Sequence, residues 1–298
     1  MYKRLPMPIH HHIIPSSPQI AISVAGQGPL VIFVHGLGGD RSTWTHQLDA
    51  LQHKYTAVSV DLRGYGDSED PPLPIQFKVD FCADLLAVID HFNAPRAHLV
   101  GLSMGGRVCR TTALQAPDRV ASLTLANTSP GFDHMTPTQL DAFVEARSGT
   151  LEQNGLPADF GKQQALAMMA PGAPLSAINA MAQAVDRLRV PNYLGTLRAS
   201  TLQDRGDRLE DITCPVLLIT SDHDTVYPAN VATEMRQRLP HALHTEIIGA
   251  GHISNLEQPD AFNAALLRFL DALPREDDTR PDPTPQETAC ISIGKNSR

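Results

Sequence analysis

Three side chains, spread over 150 residues of a 298-residue chain, have the types that acyl transfer requires. Ser103 lies in "GLSMGG" (101–106), a G-x-S-x-G pattern. A serine hydroxyl is a poor nucleophile at neutral pH and needs a base to take its proton. Of thirteen histidines, His252 in "GAGHISNLEQP" is the best placed. It follows the last strand-like run and precedes the last helical pattern, among glycines that allow an exposed turn. His35, His98 and His223 are rivals. His35 sits in "HGLGG", which suggests another role, and His98 precedes the serine on its own strand. An imidazole base needs an acid to orient it. "ITSDHDTVYP" offers Asp224, with Asp222 as the alternative. Asp224 stands four residues before Pro228, where a helix begins, so it belongs to a loop at a strand end. The chain order is then Ser, Asp, His.

The tetrahedral intermediate of such chemistry carries an oxyanion that backbone N–H groups must stabilise. The residue after the nucleophile, Met104, supplies one. The glycine-rich "HGLGGD" (35–40) supplies the second, at Leu37.

These groups need a frame that brings their loops to one edge. Short β-branched runs at 20–26, 30–36, 56–64, 97–103, 120–127, 215–222 and 243–251 alternate with helical patterns at 76–93, 104–116, 229–239 and 259–272. The middle runs are nearly continuous in apolar residues, as strands buried on both faces are. The alternation predicts an α/β fold with a mostly parallel sheet and helices on its flanks. The first two runs are too close for a helix between them, so an antiparallel edge pair is expected. A sharp strand-to-helix turn at Ser103 brings the residues two before and two after it nearly into contact. Gly101 and Gly105 answer that demand, and the turn lifts Oγ above the strand end.

From about 130 to 205 the β-rich runs vanish. Ile178, Met181, Val185 and Leu188 form one helical stripe, and Leu140, Phe143 and Val144 start another. The expected organisation is a core at 20–130 and 206–274, a helical cap at 131–205 inserted after the sixth strand, an N-terminal extension at 1–19 and a disordered tail at 275–298. The cap holds Met135, Met168, Met169 and Met181, flexible thioethers suited to an adaptable apolar wall or to a small core of its own. The tail is polar, charged and proline-rich.

Composition sets outer limits. The formal net charge is −8, with no basic footprint for nucleic acid or an anionic membrane surface. No apolar run approaches the roughly 18 residues of a membrane span. The start, with its histidine triplet at 10–12, does not read as a signal peptide and is expected to be a linker. Four scattered cysteines argue against a disulfide framework or zinc site and fit a reducing, cytoplasmic setting.

"HGLGG", "DLRGYGDS" (61–68), "GLSMGG", "DHDTVYP" and "GHISNLEQP" stand in the order and spacing of the α/β-hydrolase superfamily, which 20–275 resembles. The resemblance implies an eight-stranded α/β-hydrolase sheet and a Ser103–His252–Asp224 triad. It also implies an oxyanion hole at Leu37 and Met104 and a cap over the pocket. A narrower resemblance links the chain to 3-oxoadipate enol-lactonases and related carboxylesterases, through "GLSMGG", "HISNLE" and Trp44. It departs at Tyr65, where that branch often carries histidine. It implies hydrolysis of a small ester or lactone through an acyl-enzyme, with no metal or organic cofactor. Trp44, Met135 and Met168 are the expected substrate contacts. An anionic lactone product would want a basic clamp, for which Arg147, Arg187, Arg189 and Arg198 are candidates. Carbon–carbon bond hydrolysis of a ring-fission product and non-turnover ligand binding on the same scaffold are the alternatives.

Overall fold

The computed structural model describes residues 7–149 and 151–274. The tail expected to be disordered lies outside these residues.

Eight strands form one sheet: β1 (His10–Ile14), β2 (Ile20–Ala25), β3 (Leu30–Val34), β4 (Thr56–Val60), β5 (Ala97–Leu102), β6 (Val120–Ala126), β7 (Val216–Ser221) and β8 (Leu243–Ile247). Their order is β1-β2-β4-β3-β5-β6-β7-β8. The pairs β1–β2 and β2–β4 are antiparallel and every later pair is parallel.

Two expectations are corrected here. Strands β2 and β3 do not pair with each other, because β4 lies between them. The "LVIFV" of β3 is apolar at every position and fully buried, and it belongs between two parallel partners rather than beside an edge. The histidine triplet is not a linker. It forms β1, the outermost strand, in register with β2 from His10↔Val24 to Ile14↔Ile20. Only Ile14 of β1 is buried, so an apolar run could not mark this strand.

Helices cover both faces. Helices α2 (Phe77–His91), α3 (Met104–Gln115) and α9 (Ala229–Arg238) pack with Ile32 and Val34 of β3 in one core. Helices α1 (Thr45–Leu51) and α11 (Pro259–Asp271) pack with Val31 and Phe33 in the other. That split is the period-two alternation of a strand read from both sides. In α2 the buried residues include Phe77, Phe81, Leu85, Val88 and Ile89, which recur at helical spacing along one face.

Between β6 and β7 come α4 (Pro137–Ser148), α5 (Leu151–Asn154), α6 (Phe160–Met168), α7 (Leu175–Asp186) and α8 (Val190–Leu202). A capping box of Thr136 and Gln139 starts α4, and Pro137 occupies the first turn, where its missing N–H costs nothing. Val144, Leu151, Tyr193, Leu194 and Leu197 make a small cluster of their own, whereas Ala165, Met181 and Val185 lean into the core of α1 and α11. A short helix, α10 (Ser254–Glu257), precedes α11.

Candidate active site

The turn from β5 to α3 holds Ser103 at φ 55° and ψ −120°, a conformation that costs a non-glycine residue about 1–3 kcal/mol. Neighbours hold it there. The Ser103 N–H donates to the Ala126 carbonyl at 2.9 Å, and its own carbonyl accepts from Thr128 Oγ1 at 2.6 Å. A Cβ on Gly101 would lie 2.3 Å from the Gly105 carbonyl oxygen, and one on Gly105 would lie 2.2 Å from the Val34 carbonyl oxygen. No larger residue fits at either position without moving backbone.

His252 is buried, and its Nδ1 lies 3.0 Å from Oδ2 and 3.2 Å from Oδ1 of Asp224. The carboxylate can only accept, so Nδ1 carries the proton and Nε2 is left for the cavity. Asp224 Oδ1 accepts from the N–H groups of Val226 and Tyr227, each at 2.9 Å, and Oδ2 from the Asn127 amide at 3.0 Å. Burial by itself would raise this carboxyl. The charge and hydrogen bond of His252, the Tyr227 N–H and the Asn127 amide outweigh it and hold the group below the ordinary carboxylate value. Asp222, the alternative, faces elsewhere: its Oδ1 accepts from the Gly249 N–H at 2.8 Å.

The rival histidines have other partners. His35 is buried, with Nδ1–H donating to the Gly36 carbonyl at 2.8 Å and Nε2 accepting from the Leu62 N–H at 3.1 Å. Both nitrogens are committed, and burial holds the ring neutral by lowering its pKa. Tyr65, the residue that departs from the lactonase pattern, packs its ring 4.9 Å from that imidazole. His98 contacts Ser122 Oγ at 2.8 Å on the sheet, and His223 is exposed beside Asp222.

His35 also orients the glycine-rich loop. The Gly36 carbonyl accepts from His35 and from the Gly39 N–H at 3.1 Å. In a trans peptide the N–H points opposite the carbonyl, so the Leu37 N–H faces away from His35. Gly36 abuts Ser103, since a Cβ there would stand 3.1 Å from Ser103 Cβ. Met104 is fully buried at the first position of α3, where a helix leaves its N–H groups unpaired and its dipole positive.

Ser103, His252, Leu37, Trp44 and Met168 line one cavity of about 300 Å³. Met135 does not: it is half-buried, and Phe132, three residues earlier, takes the place expected for it. The Met135 N–H turns back to the Phe132 carbonyl at 3.1 Å, so the segment faces the cavity with its aromatic residue. Met181 lines the cavity too, whereas Met169 is buried in the core. Trp44 lines the cavity, and its ring packs between Phe33 and Phe262, at centroid distances of 5.1 and 6.0 Å.

Of the four candidate clamp arginines only Arg147 lines the cavity, stacked with its guanidinium 3.5 Å from the Phe143 ring centroid. Arg187 pairs with Asp40, Arg189 with Asp70 and Arg198 with Glu152. A second guanidinium, Arg107 of α3, also lines it. It is buried, pairs with Asp204 at 2.8 Å and lies 4.9 Å from the Phe132 ring centroid. Asn127 is the residue that sequence reasoning missed. It has a positive φ of 44°, gives its amide to Asp224 and accepts from Ser254 Oγ at 2.6 Å. Its only sequence signal is its place directly after β6. Among the described residues no cluster of histidine, cysteine and acidic side chains could hold a metal ion, and no helix is long and apolar enough to cross a membrane.

Residues 29–259 match the model of the alpha/beta hydrolase fold family. The chain belongs to that family. Its relatives include 3-oxoadipate enol-lactonase 2 of Acinetobacter baylyi, 29% identical over 87% of this chain and 97% of that protein. A crystal structure of a hydrolase from Pseudomonas aeruginosa PA01 superposes with a TM-score of 0.74 at 27% identity, covering 88% and 98% of the two chains. The enol-lactonase from Burkholderia xenovorans LB400 shares the fold, with a TM-score of 0.72 at 24% identity over 86% and 97%. Another relative, the putative carbamate hydrolase RutD of Caulobacter sp. (strain K31), is 31% identical over 80% of this chain and 90% of that protein, so the chain is a hydrolase with enol-lactonases and carbamate hydrolases among its relatives.

Proposed function

We propose that Ser103, His252 and Asp224 form a catalytic triad that hydrolyses a small carboxylic ester or lactone. The observation that carries this reading is the His252–Asp224 pair facing the same cavity as a serine held at positive φ. Ser103 Oγ attacks the carbonyl while His252 Nε2 takes its proton. The oxyanion is held by the N–H groups of Leu37 and Met104. His252 then protonates the leaving alkoxide, and Asp224 steadies the imidazolium throughout. Water repeats the cycle on the acyl-enzyme. In a lactone the leaving oxygen stays tethered to the acyl group, so one product results. The helices of 131–205 act as the cap that closes the cavity over the substrate.

The cavity wall points to a substrate carrying an acid group. It has two guanidinium groups and no carboxylate, in a chain whose net charge is −8. Arg107 is paired with Asp204, an acid it shares with Arg110, whereas Arg147 enters no ion pair among the described residues and is the group left to meet the anion.

A fluorophosphonate probe with ester substrates tests the triad. Wild type is expected to label at Ser103 and turn over, and Ser103→Ala to fold but do neither. An unlabelled wild type without turnover removes this reading. Arg147→Ala should raise KM for an ester bearing a free carboxylate about tenfold, as loss of one charged hydrogen bond does. It should leave the neutral methyl ester of the same compound unchanged. Equal effects on both would show that no acid group is recognised there.

A further inference from the structure

Glu257 is a buried carboxylate that enters no ion pair among the described residues. A charge so placed is costly unless hydrogen bonds replace its water. Here three backbone N–H groups do so. Oε2 accepts from Ala170 at 2.7 Å and from Gly251 at 2.9 Å, and Oε1 accepts from Ile253 at 3.0 Å. Two of these donors flank His252, and the third comes from the segment after α6, 87 residues away. The same two segments meet again where the His252 N–H donates to the Met168 carbonyl at 2.7 Å. They press so closely that a Cβ on Gly251 would lie 2.5 Å from the Ala170 nitrogen.

We infer that Glu257 is a positioning residue. Its carboxylate fixes the peptide units on both sides of His252 and ties them to the inserted helices, so that the base and the wall carrying Met168 keep one relative placement. The inference rests on the triad reading above. A neutral amide would not serve as well, because a carboxylate has two oxygens with which to accept several N–H groups at once and carries no donor.

Glu257→Gln keeps the size but leaves one accepting oxygen and turns an NH2 toward a backbone N–H. In the full chain, with a short-chain p-nitrophenyl ester, kcat should fall roughly 10- to 100-fold, the effect of a misplacement of about 1 Å. KM should change less than kcat, because every side chain lining the cavity is kept and the methionine-bearing wall adapts to a small shift. Fluorophosphonate labelling of Ser103 should slow by the same factor, and amide hydrogen exchange at Gly251, Ile253 and Ala170 should quicken. A stabilising role alone would lower the melting temperature and leave kcat in place. An active wild type with a variant whose kcat stays within twofold therefore overturns the inference while the triad stands. A wild type that neither labels nor turns over removes the triad and this role together.

If Glu257→Gln does not fold, Glu257→Asp keeps the charge and both oxygens but withdraws them by one methylene from the three donors. Lower kcat with a smaller change in KM is expected again, and a kcat within twofold of wild type overturns the inference.

Discussion

The two walls of the cavity are built by different physics. On the strand-end wall each functional group is held by directional bonds. Asp224 spends both oxygens, His35 both ring nitrogens and Glu257 both oxygens. On the wall from the inserted helices, Met168, Met181, Phe160, Val185 and Leu188 meet the cavity through dispersion contacts without preferred direction, with Arg147 the one charged group among them. Hydrogen bonds fix atoms to tenths of an ångström, as proton transfer demands. Apolar packing fixes only volume, which suits a surface that selects among substrates. The difference places reaction type on one wall and substrate choice on the other.

Substitutions on each wall can break or sharpen that contrast. The largest effect is expected for Asp224→Asn, which keeps the shape but reverses the donor pattern at His252. Its kcat should fall about 10³- to 10⁴-fold in a steady-state assay. The same variant tests the electrostatics. The wild-type carboxyl is held below its ordinary value, so it stabilises the fold above the unfolded-state pKa of about 3.9. That contribution disappears as pH falls through the lower folded value. The urea stability of wild type should therefore exceed that of Asp224→Asn at neutral pH, with the gap closing in acid. A gap independent of pH would sink the assignment.

Next in size is Gly105→Ala. Its Cβ would meet the backbone oxygen of Val34 at 2.2 Å, a partner that cannot rotate away. A loss of about 3 kcal/mol is expected in chemical denaturation, near the upper end for overpacking. A loss under about 0.5 kcal/mol would mean that α3 does not need this close approach.

The smallest effect belongs to the other wall. Met181→Leu conserves volume at a site without directional bonds, so stability should change by less than about 1.5 kcal/mol. Its effect should show in KM across esters of different acyl size, which should shift a few-fold while kcat on the best substrate holds. A large uniform fall in kcat would show that the two walls are not separable.

Much of the strand-end wall is legible in the sequence. G-x-S-x-G after an apolar strand requires glycines where backbones touch, and Gly101 and Gly105 do touch. Choosing Asp224 over Asp222 follows from its distance to Pro228, and the pair with His252 agrees with it. Asn127 and Glu257 are not legible as part of this wall. An Asn after a strand and a Glu in a helical turn are ordinary surface choices until burial and partners are known. Met135 shows the same limit on the other wall. Its side chain suits a cavity, but the turn that closes on Phe132 gives that place to another residue.

Local chemistry therefore determined what stands at the strand ends: apolar runs long enough for strands, glycines at the sharp turn, and a serine, an acid and a histidine in loops. Those features depend on residues within a few positions of each other, and backbone sterics act at that range. Tertiary structure alone decided which strands are neighbours. It put β4 between β2 and β3 and carried the histidine triplet to the sheet edge. It alone brought residue 170 against residue 251 and Asn127 against Asp224. Such pairings are set by burial and by hydrogen bonds across the whole chain, and no window of sequence contains both partners.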